Sequence, residues 1–194
     1  FELIDLDERE RANFPLSELP ANVEKLSFIT GVQKRTFKDQ DPVNITAAEL
    51  VGKLHDTLEE SGYGGHDLER FLVRLVFCLF ADDTGVFEPR NIFLDFLRDR
   101  TSADGADLGG WLTKLFEVLD TPEDNRSKNL DEDLAQFPYI NGELFSGATR
   151  IPYFNSQMRD ALIEACEFDW SPISPAIFGS LFQSVMDKGE RRQL

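Results

Sequence analysis

The sequence predicts a mainly α-helical fold, a compact multi-helix bundle built around one buried central helix. The central helix is indicated by residues 68–80, which contain only three polar side chains: Glu69, Arg70 and Arg74. A helix on the surface leaves a broad polar face, whereas this stretch leaves a narrow stripe. The run is too short to span a bilayer, so we expect a core helix. We expect Asp67 to cap its start and Thr84-Gly85 to end it.

The composition supports the same fold class. The chain has 194 residues, of which 41% are hydrophobic and 17 are phenylalanine. This content can fill a substantial core and argues against intrinsic disorder. The length is that of one domain with an appended arm, and we place the arm at residues 1–42.

The N-terminal arm is expected to contain one short strand and one short helix. Residues 1–6 alternate apolar and acidic side chains, which predicts a strand that must lean on another element. The helix is expected over residues 21–29. Residues 33–40 then form the most basic stretch, either a solvated loop or a site of DNA-phosphate contact. Its basic residues are Lys34, Arg35 and Lys38.

A second long helix is predicted over residues 44–61, where apolar side chains recur every three or four positions. Thr46 and Glu49 have the spacing of a capping box at its start, and Gly62 is expected to end it. The glycines at 62–65 lack the Lys-Ser/Thr pair of a phosphate-binding loop. We therefore interpret them as a turn into the central helix.

The second half of the chain continues the helical pattern. Asn141-Gly142 signals a tight turn, so residues 137–145 are expected to form a small β-ribbon with residues 150–154. Asn155 is expected to cap one further helix, and Pro175 to open the last one. The helices expected before the turn cover residues 89–100, 111–119 and 130–136.

The chain is strongly acidic, with a formal net charge of −16 and a pI of about 4.4. Such a surface repels nucleic acid as a whole, so DNA contact would need a local basic patch. Cys78 and Cys166 lie on apolar stripes without metal-site spacing, which indicates buried free thiols in a reducing compartment. The sequence has no recognisable signal peptide or membrane span, so we expect a cytoplasmic protein without a membrane partner. Its ends indicate a piece of something longer.

Few residues are candidates for chemistry. Asp82, Asp83 and Glu88 surround a glycine-containing loop and could hold a divalent cation, although the calcium-loop pattern is absent. The alternative is a helix end with solvated acids. His55 and His66 are not joined by any metal-binding motif. We therefore assign no metal, cofactor-binding or catalytic residue to this chain.

Three long stretches of the sequence resemble the helical spacer of MmeI-like proteins. They are FLVRLVFCLFADDTGVF at 71–87, LAQFPYINGELF at 134–145 and FDWSPISPAIFGSLFQSVMDKGERR at 168–192. FPLSELPANVEKLSFITG at 14–31 resembles the link from the nuclease-like domain of these proteins. They are large single-chain bacterial enzymes with S-adenosylmethionine-dependent DNA adenine methyltransferase activity, and many carry a nuclease-like and a target-recognition domain.

The resemblance implies three segments. Residues 1–42 would link to a preceding nuclease-like domain, residues 43–188 would form the helical spacer, and residues 189–194 would begin the link to a methyltransferase domain. Arg191 and Arg192 would lie at that junction. S-adenosylmethionine would be the cofactor of the longer protein, with none bound by this chain, and DNA would contact this part of it at most locally.

The residues themselves agree with a piece that lacks catalysis. A methyltransferase needs a Gly-rich loop after a strand and a polar-Pro-Pro-aromatic clamp for the flipped base, and the sequence has neither. The predicted function is thus a non-catalytic connector between a nuclease-like and a methyltransferase module. The alternatives are a stand-alone acidic protein that mimics DNA and a metal-dependent enzyme. The second alternative would use Asp82, Asp83 and Glu88.

Overall fold

The computed structural model of the protein describes residues 2–4, 11–13, 15, 42–173 and 177. The chain divides into two compact units, Phe1–Gln40 and Asp41–Leu194. In the first unit, strand β1 (Glu2–Ile4) pairs antiparallel with β2 (Arg11–Asn13), with Leu3 opposite Ala12. The predicted N-terminal strand is confirmed, and β2 is the partner that it required.

The second unit is helical, as predicted. Its short 3-10 turn, Glu123–Asn125, follows the fourth helix. Helices α1 and α6 pack together, α2 packs against α1 and α3, α3 packs against α6, and α4 packs against α5. The helices are α1 (Pro42–Glu60), α2 (Gly65–Thr84), α3 (Ile92–Arg100), α4 (Leu108–Asp120), α5 (Glu132–Ala135) and α6 (Ser156–Cys166).

Helix α2 is the predicted central helix, and it contributes more buried residues to the core than any other helix of the described part. It ends at Gly85, whose φ of 77° gives the left-handed C-cap that the sequence predicted. The predicted cap at its start was wrong. The N-cap is Gly64, and Asp67 lies inside the first turn, where a carboxylate favours the helix dipole without capping it.

Helix α1 begins two residues earlier than predicted, at Pro42. For that reason Thr46 is an interior residue, and its hydroxyl donates to the Pro42 carbonyl at 3.0 Å, so the predicted capping box does not form. The end of α1 is a Schellman motif. The Gly62 N–H donates to the Glu59 carbonyl at 2.9 Å, and the Tyr63 N–H donates to the Leu58 carbonyl at 3.2 Å.

Aromatic rings tie the core together around α2. Phe71 is fully buried and meets the rings of Tyr63, Phe116 and Phe154 at centroid distances of 5.8–6.0 Å, in edge-to-face geometry. Such pairs stabilise a core beyond the area that they bury. Two of these partners, Tyr63 and Phe154, lie outside the helices, and Phe116 lies in α4, so α2 holds loops as well as a helix in place.

The β-ribbon predicted between residues 137–145 and 150–154 does not form, since neither segment contains a strand. Both segments are irregular and are held by individual contacts instead. Phe137, Phe145 and Phe154 are buried, and the Ile140 N–H donates to the Leu119 carbonyl at the end of α4, at 2.8 Å. The Asn141-Gly142 signal thus marks an exposed bend in an irregular segment.

We expect Phe71→Ala to lower the free energy of unfolding by about 3–5 kcal/mol, because it empties a fully buried ring site. Urea denaturation of the 194-residue chain measures this change. Tyr153, whose side chain is 97% exposed, supplies the matched control: Tyr153→Ala should change the free energy by no more than about 0.5 kcal/mol. Equal effects of the two substitutions would contradict the assignment of α2 as the core helix.

Candidate functional site

The buried charges of the helical unit are the features that fix its shape. Arg74 lies in the middle of α2 and is only 2% exposed. Its Nε donates to the Leu144 carbonyl at 2.9 Å, and its Nη2 donates to the carbonyls of Ser146 and Gly147 at 2.7 and 3.2 Å. The sequence placed Arg74 on the narrow polar stripe of the central helix, and the 144–147 loop covers that position.

The rings around Arg74 complete its environment. Its Cζ lies 5.6 Å from the centroid of Phe116 and 5.8 Å from that of Phe145, distances typical of cation–π contacts. Burial is the main cause that lowers the pKa of Arg74, and the nearby charge of Arg70 lowers it further. The guanidinium still carries its charge at neutral pH, so the loop carbonyls must stay in place to satisfy it.

Asp82 connects the end of α2 to the start of α3. One carboxylate oxygen accepts the Phe93 N–H at 3.0 Å, and the other accepts the Leu94 N–H at 3.2 Å. These N–H groups belong to the first turn of α3, where a helix has no partners of its own. Burial raises the pKa of Asp82, although the two N–H bonds oppose this shift. Asp82 therefore caps α3 from a neighbouring helix.

Asp83 fixes two further segments. Its Oδ2 accepts the Trp170 N–H at 2.8 Å, and its Oδ1 accepts from the Arg90 guanidinium at 3.2–3.3 Å. Arg90 also pairs with Asp169 at 3.2 Å. The carboxylate thus joins α2 to the loop before α3 and to the segment after α6.

These contacts bear on the alternative of a cation held by Asp82, Asp83 and Glu88. The oxygens of both aspartates already accept from backbone N–H groups or a guanidinium, which is a structural role that the sequence did not reveal. The glutamate is exposed and adds no contact to either of them within residues 42–173. The geometry therefore gives no support to this cation site.

Another set of side chains comes closer to metal-ligand spacing. Within the described residues, the ligand atoms of His55, Asp56 and Glu59 all lie within 4.8 Å of one another. His55 is buried, and its Nδ1 lies 3.3 Å from Asp56 Oδ1. The other histidine, His66, is exposed and pairs with Glu69 at 3.0 Å. The two histidines thus serve separate local contacts.

The side chain of Arg126 closes the end of α4. Its guanidinium donates to three carbonyls, those of Val118 at 3.0 Å, Thr121 at 3.0 Å and Phe137 at 2.8 Å. A cation at a helix C-terminus satisfies carbonyls that lack partners and favours the helix dipole. The Arg126 side chain is only 8% exposed, and through the Phe137 carbonyl it holds the segment after α5 to the end of α4.

The cysteines agree with the sequence interpretation. Cys78 and Cys166 are both free and buried. Burial raises the pKa of both thiols well above the ordinary value, and the charge of Asp82 adds to this in each case. Thiols held in the neutral form are poor nucleophiles and poor metal ligands. Both cysteines therefore act as core residues.

Several residues singled out from the sequence lie outside the described part of the chain. They include the possible phosphate contacts and the possible junction arginines, together with the last helix apart from Ile177, which is half-buried against the core. In the described segments, no helix has the length and apolar character needed to cross a membrane. The possible phosphate contacts that lie outside the described part of the chain are Lys34, Arg35 and Lys38, and the possible junction residues outside it are Arg191 and Arg192.

Comparison with known proteins reveals two family matches. The family described as "MmeI, N-terminal domain" matches residues 1–61, and the family described as "MmeI, helicase spacer domain" matches residues 66–145. The boundary between them falls in the turn between α1 and α2. By sequence, α1 thus belongs with the N-terminal region, whereas in space it packs against α2 and α6.

Two relatives agree with these matches. DNA methyltransferase A of Bacillus subtilis (strain 168) is 33% identical over 189 residues, which cover 95% of this chain and 21% of that protein. A solved structure of the Type IIL restriction-modification enzyme MmeI in complex with DNA is 57% identical, with a TM-score of 0.70, over 79% of this chain and 20% of that one. The chain therefore spans about a fifth of the length of each relative.

The resemblance found in the sequence is thus confirmed, and it covers both the N-terminal and the helical parts. The architecture is helical, as the resemblance implied. Two of the motifs that carried the resemblance, at 71–87 in and after α2 and at 134–145, lie within the residues that the spacer family matches. The chain belongs to the MmeI family of restriction-modification proteins, as its N-terminal and helical spacer region.

Proposed function

We propose that the helical unit is a non-catalytic connector that fixes the position of a nuclease-like module relative to a methyltransferase module. The observation that carries this proposal is the placement of α1. This helix ends the segment matched by the N-terminal family, yet its buried residues belong to the core of the helical unit. A module attached directly before α1 would be joined to a packed helix.

The energetics of α1 support a rigid joint. Its apolar face is fully or nearly fully buried at Ala47, Val51, Leu54 and Leu58. Burial of each large aliphatic side chain stabilises by about 1.5–3 kcal/mol, so the helix cannot detach cheaply. A flexible linker would instead let the distance between its ends fluctuate widely.

The other end of the unit is anchored in a similar way. Trp170 is fully buried, and its indole N–H donates to the Ala165 carbonyl at 2.8 Å. Its backbone N–H is held by Asp83, and Ile173 is also buried. The chain is therefore held in the described core as far as Ile173, and we propose that the link to a methyltransferase begins at residues 189–194.

The activity of the whole protein is part of the same proposal. The names of the relatives support a DNA methyltransferase of the restriction-modification type that works on DNA. Such an enzyme uses S-adenosylmethionine, and we propose adenine as the methylated base and the cytoplasm as its location. Within residues 42–173 the geometry offers structural roles for the buried charges and no assembled catalytic set.

We expect the 194-residue chain alone neither to methylate nor to cut DNA. Incubation with plasmid and labelled S-adenosylmethionine should give no incorporation of label and no change in plasmid topology. The longer protein, assayed in parallel, serves as the positive control. Incorporation by the purified 194-residue chain would contradict the connector assignment.

A pair of insertions in the longer protein tests the rigid joint. We expect Gly-Ser-Gly-Ser between Gln40 and Asp41 to broaden the distance distribution between spin labels on the N-terminal and methyltransferase modules, because it precedes the packed helix. The same insertion between Gly64 and Gly65 should leave the distribution narrow, since the buried face of α1 still holds it. Pulsed electron paramagnetic resonance measures both distributions.

The two insertions have distinct outcomes for the proposal. A distribution that is already broad in the unaltered protein would mean that the helical unit does not fix the modules. Broadening by the second insertion and not by the first would mean that chain continuity, and not the packing of α1, sets the geometry.

A further inference from the structure

Among residues 42–173 of the helical unit, most cations have a specific partner, as expected in a chain with a net charge of −16. Four of them pair with carboxylates, and three others donate to carbonyl or hydroxyl oxygens. The first group is Lys53 with Glu164, Arg90 with Asp83 and Asp169, Arg98 with Glu167, and Arg100 with Asp131 and Asp133. The second group is Arg74, Arg126 and Arg159.

Arg70 and Arg150 differ from these. Both are exposed, and neither forms an ion pair with any carboxylate of the described residues. The Arg150 guanidinium lies over the ring of Tyr63, with its Cζ 5.7 Å from the centroid. A guanidinium stacked on an aromatic ring keeps its N–H edge free to bind an anion.

Local contacts bring the two arginines to one side of α2. The Tyr63 hydroxyl lies 2.9 Å from the carbonyl oxygen of Asp67 and also contacts the carbonyl oxygen of Arg150. Residue 150 is thus anchored at the first turn of α2, and Arg70 follows three positions after Asp67, on the next turn. The buried Arg74 lies one turn further along.

The charges of these groups act on one another. Desolvation and the charge of Asp67 raise the pKa of Tyr63 to about 12, while Arg150 and Arg74 both act to lower it. The charge of Arg70 in turn lowers the pKa of Arg74, whereas the charge of Asp120 raises it. Within the described part of the chain, the carboxylates of Asp67 and Asp120 therefore weaken the positive potential of the arginines. Neither carboxylate forms an ion pair with Arg70 or Arg150. We call Arg70, Arg74 and Arg150 the arginine cluster.

We propose that the two exposed members of the arginine cluster, Arg70 and Arg150, contact DNA phosphates in the longer protein. The proposal rests on the connector function in a DNA-modifying enzyme, and it names a surface of the connector that meets the substrate. Guanidinium groups match the geometry of phosphate oxygens, and an acidic surface elsewhere confines DNA to this patch. The contacts position DNA and do not read its sequence.

Salt dependence measures such contacts directly. Each neutralised phosphate contributes about 0.9 to the magnitude of the slope of log K against log salt concentration. We expect Arg70→Ala with Arg150→Ala in the longer protein to lower that magnitude by about 1.8, and Arg70→Ala alone by about 0.9. The preferred DNA sequence should not change. Fluorescence anisotropy with a labelled duplex, measured from low to moderate salt, gives the slope.

A charge-matched control separates contact from overall charge. Lys114 and Lys128 are also exposed, and neither forms an ion pair within residues 42–173. Lys114→Ala with Lys128→Ala removes the same charge and should leave the slope unchanged. A slope that the arginine substitutions do not change, or that both pairs change equally, would overturn the proposal.

A competing partner is a carboxylate of a neighbouring module. In that case the arginine substitutions would lower the thermal stability of the DNA-free longer protein and leave the slope unchanged, which also overturns the proposal. The connector function can fail independently. The spin-label distances test that function in the absence of DNA, whereas the salt slope tests only the phosphate contacts.

Discussion

The structure of the helical unit depends on the burial of one guanidinium group. Arg74 lies at the centre of α2, and its charge must be satisfied because an unpaired buried charge is very costly. The loop at 144–147 supplies three carbonyls for it and is thereby held against the middle of α2. One of these carbonyls, that of Leu144, lies in the segment where the sequence suggested a β-ribbon and the structure has irregular backbone. The rings of Phe116 and Phe145 then pack around the same group.

The sequence predicted the helices well because each of them buries a continuous apolar stripe. The periodicity of α1, α2, α4 and α6 records that burial locally, and the caps at Gly62, Gly85 and Asn155 are local signals too. Two errors were local, since the caps predicted at Asp67 and at Thr46 do not form. The other errors arose where a polar group serves a distant partner. Asp82 bonds N–H groups 11 and 12 positions away, and Asp83 bonds one 87 positions away. In the sequence, a carboxylate pair in the last turn of a helix looks the same whether it caps a neighbouring helix or faces water.

The candidate surface was predictable only in part, for the same reason. Arg70 and Arg150 are 80 positions apart in the sequence, and only the folded chain brings Arg150, stacked on the ring of Tyr63, to the first turns of α2 where Arg70 lies. No spacing rule connects such residues. By contrast, the non-catalytic character that we propose was inferred from local motifs, since cofactor loops and base clamps are contiguous in sequence. Functions built from tertiary juxtaposition are therefore the ones that sequence reasoning misses.

The packing of α1 has a consequence for recombination between relatives. The boundary between the two matched families falls between residues 61 and 66, so a chimera designed from sequence would be joined there. Such a crossover places α1 of one parent against α2 and α6 of another, across a fully buried seam. Mismatched side-chain volumes in that seam would leave cavities or clashes. A crossover at residues 40–41 keeps the seam within one parent, and it is the more conservative place to exchange N-terminal modules.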